Sequence, residues 1–396
     1  MKHDDVVIVS AARTAVGKLG GSLLKTDEAH FGSEVIKAAM QRAGIEHKDV
    51  DELVFGQNFR TGLISSNSTR VLAHYAGFGL ETPEFTLNKH CAGALKAITY
   101  AYQAIKSQTA DCIISGGVDQ MSKAAFFAPA NPFRWGGKMG HMQLTDQLIM
   151  RDPVANVSTI DGANNTAKVY GISREEQDAF SMMSENRAEA AIKNGNFKDQ
   201  IVPITIKDRK KGEFIFDTDE CPTFGTTMES LGKLRTVSGG DTTVTAGNSS
   251  SLSDGAGAFV IMSGKKCEEL GLKPMAKIVA FDYVGCDPAL FTLGPVLSTR
   301  RILAKTGLTI DDFDVMEINE AFASQMILYM REINPNIDKM NVNGGAIALG
   351  HPIGATGAII MTKLLYELEK RNGQLGLVSM CIGGGQGMSI IVDRNV

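Results

Sequence analysis

Along this chain, short unbroken apolar runs alternate with stretches in which apolar residues return every three or four positions, so strands and helices are predicted in turn. Val6 to Val9 is a continuous apolar run, as expected of a strand buried on both faces. Ser33 to Ala43 has helical spacing and stops before Gly44, a helix-terminating residue. Val54 and Phe55 predict a second strand. From Ala92 to Ile105 the residues Leu95, Ile98, Tyr102 and Ile105 fall on one helical stripe. Ile113 and Ile114 then predict a short strand ending at Gly116 and Gly117. Such alternation is the pattern of an α/β fold.

The last part of the chain repeats this order. Asp49-Val50-Asp51 has a counterpart in Asp312-Phe313-Asp314, 263 residues further on, and the glycine cluster at Gly383 lies 267 residues beyond Gly116. A glycine-rich turn, a helix from about Gly357 to Glu369 and a strand from Leu377 to Met380 complete the second copy. Near-constant offsets predict two duplicated α/β halves, with mixed sheets packed in layers. The first half is expected over residues 1–120, completed by about 248–270, and the second over 271–396.

Between them, residues 121–247 break the pattern and predict an inserted loop domain. The single Trp135, in N-P-F-R-W-G-G, reads as loop. The clearest element starts at Ser173 with Glu176 three residues on, a capping box, and ends at Asn194-Gly195. The basic run Lys207 to Lys211 reads as a solvated turn, the alternative being attraction of a phosphorylated ligand.

Composition narrows the function. Forty basic side chains against 44 acidic ones give a net charge of −4, which argues against a nucleic-acid binder. No apolar run approaches the ~18 residues that span a bilayer, and Met1 to Ser10 reads as a buried strand, not a signal peptide. The six cysteines lack C-x-x-C spacing, so neither a metal site nor a disulfide framework is expected, and free thiols in a cytoplasmic protein are. Glycine is in excess, at 42 of 396 residues, and nine of the 42 fall in Gly344 to Gly357 and Gly383 to Gly387.

Four positions could carry chemistry. Cys91 opens the predicted helix in N-K-H-C-A-G-A, where unpaired N–H groups favour a thiolate; a buried packing cysteine is the alternative. His351 lies among five glycines in G-G-A-I-A-L-G-H-P-I-G-A-T-G. Cys381 enters the turn of C-I-G-G-G-Q-G, whose glycine amides could cradle an anion. A nucleotide loop fails there, because Met388 to Val392 reads as strand where a helix would be needed. Asn319, in N-E-A-F-A, could instead be a helix cap.

Together N-K-H-C-A-G-A-L-K-A, N-E-A-F-A, G-G-A-I-A-L-G-H-P-I-G-A-T-G and C-I-G-G-G-Q-G resemble the signature segments of the thiolase family, in the same order. S-R-E-E-Q-D-A-F and T-A-G-N-S-S-S-L-S-D-G-A extend the resemblance over nearly the whole chain. It implies a thiolase-like fold and a reversible ping-pong acyl transfer: condensation of two acetyl-CoA to acetoacetyl-CoA, or thiolysis. A degradative 3-ketoacyl-CoA thiolase with longer substrates is the rival, and a non-catalytic CoA- or lipid-binding relative the remote one.

By the same resemblance, Cys91 is the nucleophile that takes the acyl group. His351 is its base, and Cys381 exchanges the α-proton of the second acetyl-CoA. Asn319 holds a water that, with His351, stabilises the enolate, while the amides of Cys91 and Gly383 form a second oxyanion hole. The chemistry also asks for this set. A thioester α-proton does not leave at neutral pH without a dedicated base and enolate stabilisation, whereas decarboxylating condensing enzymes avoid that step. Ser250, Ala246, Leu252, Ala321 and Phe322 match positions lining the coenzyme A pocket. No tightly bound cofactor is implied beyond coenzyme A thioesters as substrates, with no nucleic-acid or membrane partner and a homodimer or homotetramer expected.

Several positions depart from the family. A His-Met pair of the covering loop is replaced by Ser158 and Thr159, and an arginine near the adenine by Thr223. The R-P-A-F segment reads Arg235-Thr236-Val237-Ser238, and a methionine near the acyl pocket is Phe291. These changes bear on acyl-chain preference and coenzyme A affinity, not on the catalytic set.

Overall fold

Every residue of Val6–Thr14 (β1) is buried, which puts this strand inside a sheet and not at its rim. The computed structural model describes residues 2–61, 67–210 and 212–396, and β1 stands in it at the junction of two half-sheets. The first half contains Glu52–Gly56 (β2), Glu84–Leu87 (β3), Cys112–Gln120 (β4) and Ser253–Ser263 (β5), in the order β3-β2-β4-β5-β1. The second contains Ala276–Gly285 (β6), Val315–Ile318 (β7), Leu375–Ile382 (β8) and Gln386–Asp393 (β9), in the order β7-β8-β9-β6. β2 and β7 are parallel to β4 and β8, and all later neighbours in each half are antiparallel. The halves thus repeat one topology. They join where Val7 and Ile8 face Lys277 and Ala276.

Helix Glu28–Ala43 (α1) covers the outer face of the first half, and Gly294–Thr306 (α3) with Ala323–Ile333 (α4) covers that of the second. Gly93–Lys106 (α2) and Ile353–Arg371 (α5) lie between the sheets. α5 buries 15 of its 19 residues, because it meets apolar neighbours on all sides. It starts at Ile353, four residues before the predicted Gly357, and α1 starts at Glu28, ahead of Ser33.

Glycines at this central packing explain one further departure from expectation. The strand expected to stop at Gly116-Gly117 runs through both to Gln120. A Cβ on Gly116 would sit 2.2 Å from Gly257 O of the neighbouring strand β5, and one on Gly117 2.2 Å from Gly354 O of α5. Close backbone approach within the sheet and to the helix layer, not a turn, thus requires glycine here.

In the second half β8 and β9 are joined by the short Gly383–Gly385 turn. The equivalent β4-to-β5 connection of the first half holds the inserted segment. It carries helices Thr159–Val169 and Arg174–Lys193 and a hairpin of Ile204–Asp208 with Gly212–Phe216. Ser173 caps the longer helix as its capping box predicts, with Glu176 N donating to Ser173 Oγ at 3.1 Å. Trp135 ends a short helix, Ala130–Trp135, where loop is predicted. The basic run lies at the hairpin tip, with Lys211 outside the described residues. Buried Arg13 of β1 pins the segment to the sheet, donating to both Asp219 oxygens at 2.8 and 3.0 Å.

Candidate active site

Cys91 occupies a single 3-10 turn, His90–Ala92, that leads directly into α2. The start of α2 is wedged between the halves: a Cβ on Gly93 would meet Gly56 Cα at 3.1 Å and Gly354 O at 3.4 Å. The sulfur is buried, and it accepts from its own amide and from the amide of Gly383. Helix position alone predicts a thiolate, but burial outweighs both amides and pushes the thiol up to about 11. The resting Cys91 sulfur is therefore protonated at neutral pH.

His351 sits just before α5, with its amide bonded to Ser251 O at 3.0 Å and Ser253 Oγ at 2.7 Å. Its Nδ1 lies 2.6 Å from Thr356 Oγ1, whose proton is directed to Pro352 O at 3.1 Å. The hydroxyl can then only accept from Nδ1–H, so Nε2 carries the lone pair. Burial holds the imidazole down to about 4, so the ring is neutral and its second nitrogen unprotonated.

Cys381, one residue from the end of β8, is completely buried. Burial, then the nearby Cys91 sulfur, pushes its thiol well above the ordinary range. Asn319 follows β7, its amide N–H donating to Ser379 O at 2.9 Å, two residues before Cys381. It is no helix cap, since α4 starts at Ala323 with Phe322 in the cap position. Both polar atoms of its buried side chain lack a protein partner among the described residues. Cys91, Cys381 and Gly383 thus meet across the two halves, and Asn319 stands on the strand end beside that of Cys381, while His351 precedes α5 with its bonds to Ser251, Ser253 and Thr356.

Two family models match successive parts of the chain. The thiolase N-terminal domain matches residues 6–265 and the thiolase C-terminal domain residues 272–394. The chain belongs to the thiolase family. An acetyl-CoA acetyltransferase of Allochromatium vinosum is 43% identical over 395 residues, 99% of this chain and 100% of that protein. The crystal structure of the Bacillus anthracis acetyl-CoA acetyltransferase superposes with a TM-score of 0.95 at 36% identity, covering 98% of both chains. That of human mitochondrial 3-ketoacyl-CoA thiolase in complex with CoA gives 0.93 at 35% identity, covering 100% of this chain and 99% of that one.

In this thiolase the strip Asn248–Ser250 runs beside Ala321–Ala323, with Ser250 N donating to Ala321 O at 3.0 Å and Ala323 N to Asn248 O at 2.9 Å. Ala321 and Phe322 are buried, Ser250 and Leu252 half-buried, and Ala246 exposed. Cys381, Ala321, Phe322 and Phe291 form one apolar cluster with Ala163 and Val244 of the inserted segment, which therefore covers the second thiol. Ser158, where the family's pair begins, caps the covering helix by accepting from Asp161 N at 3.1 Å, and Thr159 starts that helix. Ser238 reaches Asp161 at 3.5 Å, and Thr223 N donates to Glu185 at 2.9 Å.

Supporting residues include several that lie inside the signature segments without a role assigned from sequence. Glu320 accepts from Ser184 Oγ, Asn341 Nδ2 and Ile347 N at 2.6, 2.8 and 3.2 Å, fixing the segment that leads to His351. Gly345 is glycine because a Cβ there would lie 2.2 Å from the Glu320 carboxyl carbon. Asp119 of β4 accepts from the amides of Asn58, Phe59 and Gly354, tying the first half to the start of α5. Thr356, five residues after His351, was legible only as part of G-A-T-G.

Proposed function

We propose that this thiolase is an acetyl-CoA C-acyltransferase that condenses two acetyl-CoA to acetoacetyl-CoA, or cleaves the product, through an acyl-cysteine at Cys91. The observation that carries the reading is the pair of buried, mutually interacting thiols Cys91 and Cys381, one from each half, with the Cys91 and Gly383 amides directed at the first sulfur. A two-thiol site supplies both a nucleophile and a separate carbon base.

The protons balance across both half-reactions. His351 Nε2 takes the Cys91 proton, and the thiolate attacks the thioester carbon of acetyl-CoA. The Cys91 and Gly383 amides stabilise the tetrahedral oxyanion. The departing CoA thiolate takes the Cys381 proton, leaving acetyl-Cys91, imidazolium and a Cys381 thiolate. That thiolate removes the α-proton of the second acetyl-CoA. The enolate oxygen is held by His351 Nε2–H and by a water on the otherwise unpartnered Asn319 amide. The enolate carbon attacks acetyl-Cys91, acetoacetyl-CoA leaves, and the released sulfur recovers its proton from His351.

Ser250, Ala246, Leu252, Ala321 and Phe322 are read as the wall for coenzyme A, with residues 121–247 as the cover between halves 1–120 plus 248–270 and 271–396. Short substrates are favoured by Phe291, which meets Phe322 edge-on with ring centroids 6.2 Å apart beside Cys381. Cytoplasmic residence fits six free thiols. A homo-oligomer fits exposed Trp135, Met139 and Ile149 on the inserted segment. The test is the rate profile across acyl lengths. Acetoacetyl-CoA cleaved faster than medium-chain 3-ketoacyl-CoA supports the reading, and the reverse order assigns the chain to the degradative branch.

A further inference from the structure

His90, immediately before the nucleophile, has φ 46°, and the other non-glycine residues with positive φ among the described residues are Asn or Gln. A histidine in that region is strained and persists only where its surroundings hold it. Its amide donates to Asn88 Oδ1 at 2.9 Å, and its ring Nδ1 lies 2.9 Å from Asn58 Oδ1. An amide oxygen only accepts, so Nδ1 carries the proton. Asn58 is itself fixed, since its amide donates to buried Asp119 at 3.0 Å.

The other side of the turn faces the second amide donor. A carbon added to Gly383 would find only His90 Cγ within 4 Å, at 3.9 Å. Lys89 Nζ donates to Gln386 Oε1 at 2.7 Å, so both residues preceding Cys91 rest on the Gly383–Gln386 turn. Desolvation of the ring first, then Lys89, hold His90 below its ordinary range against an opposing pull from Asp152, while the residue as a whole stays exposed. The ring is neutral and works as a tether, not as a charge.

We propose that His90 is a positioning residue: its Nδ1 bond to Asn58 locks the left-handed turn that aligns the Cys91 amide with the Gly383 amide. The inference rests on the acyltransferase reading above. The geometry gives it a specific test, because an Asn side chain tolerates left-handed backbone and places an amide N–H where Nδ1 stands. His90→Ala removes the tether, and His90→Asn keeps it. Asn58→Ala removes the acceptor, and Asn58→Asp keeps it.

The experiment is single-turnover acetylation of the full-length enzyme by acetyl-CoA, read as mass on the Cys91 peptide over a concentration series. We expect His90→Ala and Asn58→Ala to lower the saturating acylation rate by about tenfold, less than the ~10²–10³ of deleting an oxyanion donor outright. Half-saturating acetyl-CoA should stay within about twofold, and His90→Asn and Asn58→Asp should recover most of the rate. Alanine variants that acylate like wild type overturn the proposal. So does a fall shared equally by the conservative variants, or one confined to half-saturation. A wild-type enzyme that never acylates overturns the underlying reading instead, and the inference with it.

Discussion

Nδ1 of His351 lies 2.6 Å from the hydroxyl of Thr356, whose own proton goes to Pro352 O. This pair decides which imidazole nitrogen is free, the one proposed to serve Cys91. Thr356→Val, similar in shape, removes the acceptor and leaves the tautomer unspecified. We expect acylation to slow by about tenfold to a hundredfold, within the range of general base catalysis. Coenzyme A affinity measured by calorimetry should be unchanged. Full acylation in this variant would show that another group orients the ring.

Burial sets the pH behaviour. It holds His351 down to about 4 and Cys91 up to about 11, so both partners are neutral between those limits. Falling pH stops acylation only when it protonates the base near the lower value. Rising pH charges the sulfur only near the upper one. Single-turnover acylation should therefore be flat from about pH 5.5 to about pH 9, without limbs at the ordinary histidine or cysteine values. A half-loss near pH 6.5 would place the base on an ordinary histidine.

Packing at the seam predicts a stability effect. A Cβ at Gly345 would stand 2.2 Å from the Glu320 carboxyl carbon, and one at Gly117 2.2 Å from Gly354 O. Gly345→Ala and Gly117→Ala should each destabilise the fold by about 1–3 kcal/mol, the usual range for overpacking. Chemical denaturation checks this, and wild-type midpoints would mean that the layers are not in close contact there.

Chain length should follow Phe291. Its ring packs against Gly162, where a Cβ would be 2.8 Å from Phe291 Cε1, and beside Phe322 and Cys381. Phe291→Ala opens that cluster. The ratio of medium-chain to acetoacetyl-CoA cleavage should rise by about tenfold, the discrimination a few methylenes carry in an apolar pocket. An unchanged ratio would put the acyl pocket elsewhere.

Much of this was legible in the chain. The repeated strand–helix order and the offset of Asp49 and Asp312 anticipated two halves of one topology, because buried strands and helix stops leave local signals. Cys91, Cys381 and His351 stood out as reactive residue types beside glycine. Other features depend on contacts between distant segments. Gly116 and Gly117 read as a strand end, yet they let β4 lie close beside Gly257 of β5 and under Gly354 of α5. The thiolate expected at Cys91 from helix position alone yields to burial, which one sequence segment does not show. Glu320 and Thr356 lie within signature segments and Asp119 within none, but the roles of all three stayed hidden because they connect elements that meet only in space.

The most direct measurement is on Cys381→Ser incubated with acetyl-CoA, followed by peptide mass analysis and assay for acetoacetyl-CoA. The two-thiol mechanism predicts an acetyl group on Cys91 with condensation reduced by several orders of magnitude, because the carbon base is gone while the nucleophile remains. Condensation at the wild-type rate, or acetyl mass on any residue other than Cys91, would contradict it.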